Sequence, residues 1–218
     1  MKVTIIALAA LLPLTAAVPA EAAARAIPKN FLLHEKDVAY DKAHNDPDDY
    51  ADPEEMWWTD KKKNQWLAIG PCDTSATGER RDPKAGRDDR LDARKVTFQS
   101  QEYVNSVEQL ILYRSEKAAR HAMTEFRRGW EKCRGRSSDT YGDYRRTLTK
   151  VRLGDFAWRT SARAGISGEG DDAVIVRRAN AVLVYLTKGS GKPKAANFRK
   201  VTAEAGKMLR KVCVIASC

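Results

Sequence analysis

The residues best suited to chemistry are scattered, and each is judged at its own spacing. His121 and Glu125 stand four apart. On a helix they share one face, as proton transfer or a metal ligand set requires. They fall off the apolar stripe of their segment, so they read as a solvated pair. "DPDDYADPEE", from Asp46 to Glu55, gathers carboxylates that a hard cation such as calcium prefers. It lacks the glycine and spacing of an EF-hand loop and reads as an acidic loop. "GISGE" at Gly165 misses the last glycine of a nucleophile elbow. The chain has no H-E-x-x-H and no phosphate loop. It has no C-x-x-C either, and His34, His44 and His121 are not at zinc-finger spacing. The reading is therefore non-enzymatic, with no catalytic residue, metal or cofactor assigned. Binding chemistry is better represented. Trp57, Trp58, Trp66 and Trp158 offer aromatic faces to a sugar or lipid. Arg177 and Arg178 offer cations for an anionic group, and as strand neighbours they face opposite ways.

The compartment comes from the amino end and the sulfurs. Lys2 precedes a short apolar run from Val3 to Val18, followed by small residues at Ala20, Ala22 and Ala24. That pattern is a secretory signal peptide over residues 1–24, cut after Ala22 or Ala24. The run is short for a membrane anchor, and no second long apolar stretch follows, so the mature chain is not expected to span a membrane. Outside the cytosol, four cysteines (Cys72, Cys133, Cys213, Cys218) suggest two disulfides. Three pairings are possible. Cys72–Cys133 with Cys213–Cys218 is favoured, the first bridge contributing about 4 kcal/mol and the second about 2 kcal/mol in the chain-entropy account. Net charge is +10. Basic secreted proteins adhere to anionic wall polymers or lipid headgroups, so wall association is a further expectation. Nucleic acid is not expected as a partner: the chain is exported and carries no recognised binding module.

The elements that would position these residues follow from periodicity. Residues 25–218 read as one domain, with 73–90 an exposed Gly/Pro-punctuated loop. "IPKNFLLHEKDV" suggests a short helix, residues 39–55 a loop, and "WLAIGPC" a short strand. "ARKVTFQS" and "SVEQLILYR" read as strands. Ser115 is the expected N-cap of a helix from Glu116 to Cys133, its stripe running Ala118, Ala119, Ala122, Met123, Phe126, Trp130, with Gly135 as the stop. "YRRTLTKVRL" and "DFAWRTSA" are strands around Gly154-Asp155. "DDAVIVRR" and "AVLVYLTKG" form a hairpin in which Asn180 is expected to take the left-handed turn. After Pro193 comes a last helix with the stripe Phe198, Val201, Ala205, Met208, Leu209, Val212. The expected fold is α+β: an antiparallel β-sheet flanked by helices on one face, a two-layer, disulfide-stapled sandwich with a cleft.

The order of "FLLHEKDV", Trp66 before Cys72, "VNSVEQLILYRSEKAARHAMTEFRRGWEKC", "VRLGDFAW" and "AVIVRRANAVLVYL" before a final amphipathic helix resembles the PknH-like extracellular sensor domain family of actinobacteria. The likeness covers roughly Pro28 to Cys213. It implies an antiparallel sheet with helices around a large cleft, disulfides, and an unidentified extracellular ligand. No catalytic residues are implied. The expected partner is accordingly a small molecule, lipid or glycan of the cell envelope. The chain departs from the receptors of that family in carrying no kinase. The rival readings are a secreted hydrolase with an unrecognised site and a basic wall-associated interaction protein.

Overall fold

The computed structural model describes residues 26–38, 55–61, 63, 65, 67–69, 89–100, 106–139, 142–164, 170–189 and 192–218. The expected signal peptide (1–24), Cys72 and most of the two expected loops (39–55 and 73–90) lie outside them. Eight strands form one antiparallel sheet: β1 (Glu55–Asp60), β2 (Arg90–Ser100), β3 (Ser106–Tyr113), β4 (Gly135–Asp139), β5 (Gly142–Val151), β6 (Phe156–Ala164), β7 (Gly170–Arg178) and β8 (Ala181–Gly189). Two helices complete the described elements, α1 (Glu116–Cys133) and α2 (Ala195–Val212). The strand order is β1-β2-β3-β8-β7-β6-β5-β4. The chain lays down β1 to β3, crosses on α1 to the far edge, and meanders back until β8 pairs with β3.

The expected antiparallel α+β architecture is what forms. The layering is richer than expected, because the helices lie on opposite faces. Alternate residues of each central strand point to opposite sides. On β3, β7 and β8, Leu110, Leu112, Val174, Val176, Leu183 and Tyr185 pack with Val201, Ala205, Met208 and Val212 of α2. The intervening Ile111, Tyr113, Ala173, Ile175, Val182, Val184 and Leu186 pack with Ala119, Met123, Phe126 and Trp130 of α1. The unbroken apolar runs "LILY", "AVIV" and "AVLVYL" are the signature of strands buried on both faces, where alternation disappears.

Local chemistry explains the boundaries. Ser115 Oγ accepts from Ala118 N at 3.1 Å and caps α1 as expected. Gly135, at φ 100°, ends that helix and turns directly into β4, a polar edge strand absent from the sequence reading. β1 is likewise absent from the sequence reading, which places its first residue, Glu55, at the end of a loop. "IPKNFLLHEKDV" holds one helical turn, residues 35–38, after irregular chain. "WLAIGPC" is not a strand where it is described. Leu67–Ile69 form a bend whose Ala68 N donates to the Gln109 side chain at 2.8 Å instead of joining a ladder. Arg90, expected at the end of an exposed loop, opens β2 and is buried, donating to Gln65 O at 2.6 Å.

The β7–β8 hairpin turns where expected, but Ala179, not Asn180, takes the left-handed conformation (φ 48°). Asn180 is fully buried. Its Nδ2 donates to Tyr113 O at 2.7 Å, its Oδ1 accepts from Ser217 N at 2.8 Å, and its carbonyl accepts from Tyr113 N at 2.9 Å. One asparagine thus joins β3, the hairpin turn and the tail beyond α2. That tail is closed by the expected Cys213–Cys218 disulfide, with Cα atoms 5.3 Å apart. The Cys72–Cys133 pairing lies outside the described residues.

Candidate functional site

A pocket of about 130 Å³ opens on the α2 side of the sheet, lined by His34, Phe98, Ser106, Val107, Glu108, Lys200 and Glu204. One ordered water needs only ~15 Å³. Four pieces of chain meet there: the 26–38 segment, β2 through Phe98, β3 and α2. The 26–38 segment is pinned along β2 and β3 by polar contacts: Asp92 Oδ2 accepts from Ile27 N at 2.8 Å, and Arg94 donates to Glu35 Oε1 at 2.8 Å and to Pro28 O. Glu35 Oε2 accepts from Leu32 N at 3.1 Å. β3 supplies Glu108, and α2 supplies Lys200 and Glu204 one turn apart.

Glu108 is the centre of the arrangement. It is 3% exposed, yet it accepts from Leu33 N at 3.0 Å, His34 N at 3.0 Å and Tyr185 Oη at 2.5 Å. Burial raises its pKa above the usual carboxylate range, and the three donors partly counter that. Burial and the adjacent Glu108 push the Tyr185 phenol well up, so Tyr185 remains the donor. His34 is bracketed by acids. Nε2 faces Glu204 Oε1 at 3.5 Å and Nδ1 faces Asp37 Oδ2 at 3.1 Å. The hydrogen bond to Glu204 is the main cause raising its pKa, against a smaller opposing effect of burial. An imidazolium donating from both nitrogens fits this setting. Sequence reasoning missed this set, because its bonds join residues 74 to 77 positions apart. The one available signal was Glu108, an acid inside an apolar strand.

The residues expected at a cleft mouth are distributed differently. Trp57 and Trp58 lie on edge strand β1, and Trp158 lies on β6, with four strands between them. At about 4.8 Å per strand the two regions are roughly 24 Å apart across the sheet. The side chains of Trp57 and Trp58, and the whole of Trp66, lie outside the described residues. Trp158 and Arg177 do share the α1 face, on neighbouring strands. Phe156 pairs with Arg177, Trp158 with Ile175, and the Phe156 and Trp158 rings meet edge-on at 5.6 Å. Lys150 Nζ stands 5.5 Å from the Phe156 ring centre.

Both arginines are occupied in holding the hairpin. Arg177 reaches Glu116 Oε1 at 3.0 Å and Asp155 Oδ2 at 3.3 Å, and donates to Ala179 O at 2.9 Å. Arg178, exposed on the opposite face, meets Asp155 Oδ1 at 2.9 Å. Asp155 Oδ2 also accepts from Ala179 N at 2.7 Å. The "GDFAW" and "RRAN" stretches are therefore one fastening. His121 is exposed on α1, and Glu125 is held by Arg128 at 2.8 Å.

No protein-family model matches the chain, and no curated protein matches it in sequence. Among solved structures, the extracellular domain of PknH from Mycobacterium tuberculosis is similar in fold. The TM-score is 0.53 at 12% identity, over 83% of this chain and 93% of that one. The resemblance is thus one of fold, and membership of a sequence family is not established by it.

Proposed function

We propose that the chain is a secreted, non-enzymatic, sensor-like domain that takes an extracellular or cell-envelope ligand into a cleft of the sheet, as a relative of the PknH-like sensor domains. The carrying observation is the pocket lined by His34 and the buried Glu108 carboxylate, with an apolar wall from Phe98. The fold likeness to an extracellular domain supports the placement, as does the Cys213–Cys218 bridge, which persists in oxidising compartments. Among the described residues no helix is long and apolar enough to cross a membrane.

The pocket also contains Ser106, and a serine sharing a pocket with a histidine that faces a carboxylate is the raw material of a hydrolase. Catalysis by that set requires a neutral imidazole nitrogen turned to the hydroxyl. Both nitrogens instead face carboxylates, which supports binding over turnover. The Trp158–Phe156–Arg177 patch on the opposite face is the second place where a ligand group would stack.

The test is a thermal-shift screen of the exported protein against envelope lipids and glycans. At least one component is expected to raise the melting temperature, and Ser106→Phe, which fills the pocket from the face of β3 that carries Glu108, is expected to abolish that rise. If no component shifts the transition, the binding reading fails. If a hydrolase panel shows activity lost in Ser106→Ala, the non-enzymatic reading fails.

A further inference from the structure

The outer face of α2 is strongly cationic. Arg199, Lys200, Lys207 and Arg210 are all exposed and fall within an arc of about 100° on the helix, opposite the buried Val201, Ala205, Met208 and Val212. Lys192 and Lys194, also exposed, extend the charge before the first turn. Between the cations this arc holds Ala196 and Ala203, which let the helix lie close to a flat partner. The acid of this helix, Glu204, lies off the arc and is drawn to His34. Among the described residues, no acid makes an ion pair with any of these six cations.

The stripe has an apolar end. Val214 is 73% exposed, the one large hydrophobic so exposed among the described residues. The chain keeps winding past Val212: Val214 N donates to Lys211 O at 3.2 Å and Ile215 N to Val212 O at 3.0 Å. Val214 therefore sits one turn beyond Arg210 on the same arc. The Cys213–Cys218 bridge and the Asn180–Ser217 hydrogen bond hold it there.

We infer that α2 is a docking face for an anionic lipid bilayer, with Arg199, Lys200, Lys207 and Arg210 on headgroup phosphates and Val214 dipping into the interface. A polyanionic chain would be met by cations alone, usually in a groove. A flat cationic arc ending in an exposed aliphatic tip matches a surface that is charged outside and apolar beneath. Docking this way leaves the α1 face turned to solvent.

The exported, oxidised protein is tested by co-sedimentation with phosphatidylcholine vesicles and with vesicles in which part of the lipid is phosphatidylglycerol. Binding is expected only to the anionic vesicles and to fall steeply with salt. Arg199→Glu/Lys207→Glu/Arg210→Glu is expected to weaken it at least tenfold. Arg120→Glu/Arg127→Glu/Arg128→Glu on α1, with the same change in net charge, is expected to weaken it less than threefold. Melting temperatures confirm that both variants fold, and single reversals replace any triple that does not. Val214→Ser is expected to remove the binding that persists at high salt. Equal loss from the two triple variants would reduce the effect to net charge and overturn the assignment. So would absence of vesicle binding, or tighter binding to a soluble anionic polysaccharide than to the vesicles.

Discussion

Helices α1 and α2 are equal in length, 18 residues each, and cover opposite faces of one sheet, yet they solve the problem of an outer surface differently. α1 pairs its three arginines with its own acids: Arg120 meets Glu116 at 3.2 Å, Arg128 meets Glu125 at 2.8 Å and Arg127 meets Glu131 at 3.8 Å. α2 leaves its cations uncompensated and directs its acid inward. Inside, the contrast reverses. α1 inserts bulky aromatics, with Phe126 and Trp130 rings 5.7 Å apart and Trp130 Nε1 donating to Thr147 O at 2.9 Å. α2 buries smaller residues and is framed by polar fasteners: Asp172 accepting from Lys194 N and Asn197 Nδ2 at one end, Asn180 holding the tail at the other. A paired outer face needs no partner. A uniformly cationic one costs self-repulsion that an anionic surface relieves.

Four substitutions sharpen or break this contrast. The largest effect is expected from Trp130→Ala, which empties the α1 layer and orphans Thr147 O. A loss of about 4 kcal/mol in chemical denaturation is expected, and under 1 kcal/mol would show that aromatic burial does not hold α1. Asn180→Ala leaves Tyr113 O and Ser217 N without their partner and is expected to cost about 3 kcal/mol. Faster hydrogen exchange at Ser217 than at Trp130 would place the damage at the tail beyond α2.

The third prediction concerns pH. Because the folded-state pKa of His34 is raised, its contribution is complete below about pH 6.5 and fades as pH climbs through the raised value. Glu108 acts in the same sense: its pKa is raised too, so the folded protein takes up that proton more readily as pH falls. Glu204→Gln is therefore expected to cost at most about 1 kcal/mol at pH 5.5 and much less at pH 8.5. An equal cost at both would remove the charged His34–Glu204 contact from the account. The smallest effect is expected from Arg128→Ala on the exposed face of α1, under about 0.5 kcal/mol, read as a shift of the urea midpoint.

Much of the fold was legible because it is encoded locally. The 3.6-residue stripes defined both helices, with Ser115 and Gly135 bounding α1. Gly154 marked the β5–β6 turn, where a φ of 57° and a close approach to Arg177 O exclude a side chain. The misses share a cause. β1 and β4 are edge strands, where ladder partners on one side only leave little apolar pattern to read. Leu67–Ile69 are apolar and buried like a strand, but a side chain, Gln109, takes their backbone donor. Asn180 looked like a turn former, and its use as a buried three-way connector depends on what lies beside it.

The sequence by itself determined the segments that bury apolar faces, the closeness of Cys213 and Cys218 along the chain, and the chemical types offered to a ligand, since each depends on neighbours a few residues apart. Only the tertiary structure decided that the helices take opposite faces, that Arg177, Arg178 and Asp155 form one fastening, and that His34, Glu108, Tyr185 and Glu204 meet around a pocket. Those outcomes depend on which strand pairs with which, and antiparallel pairing across tens of residues is chosen by the burial of the whole sheet.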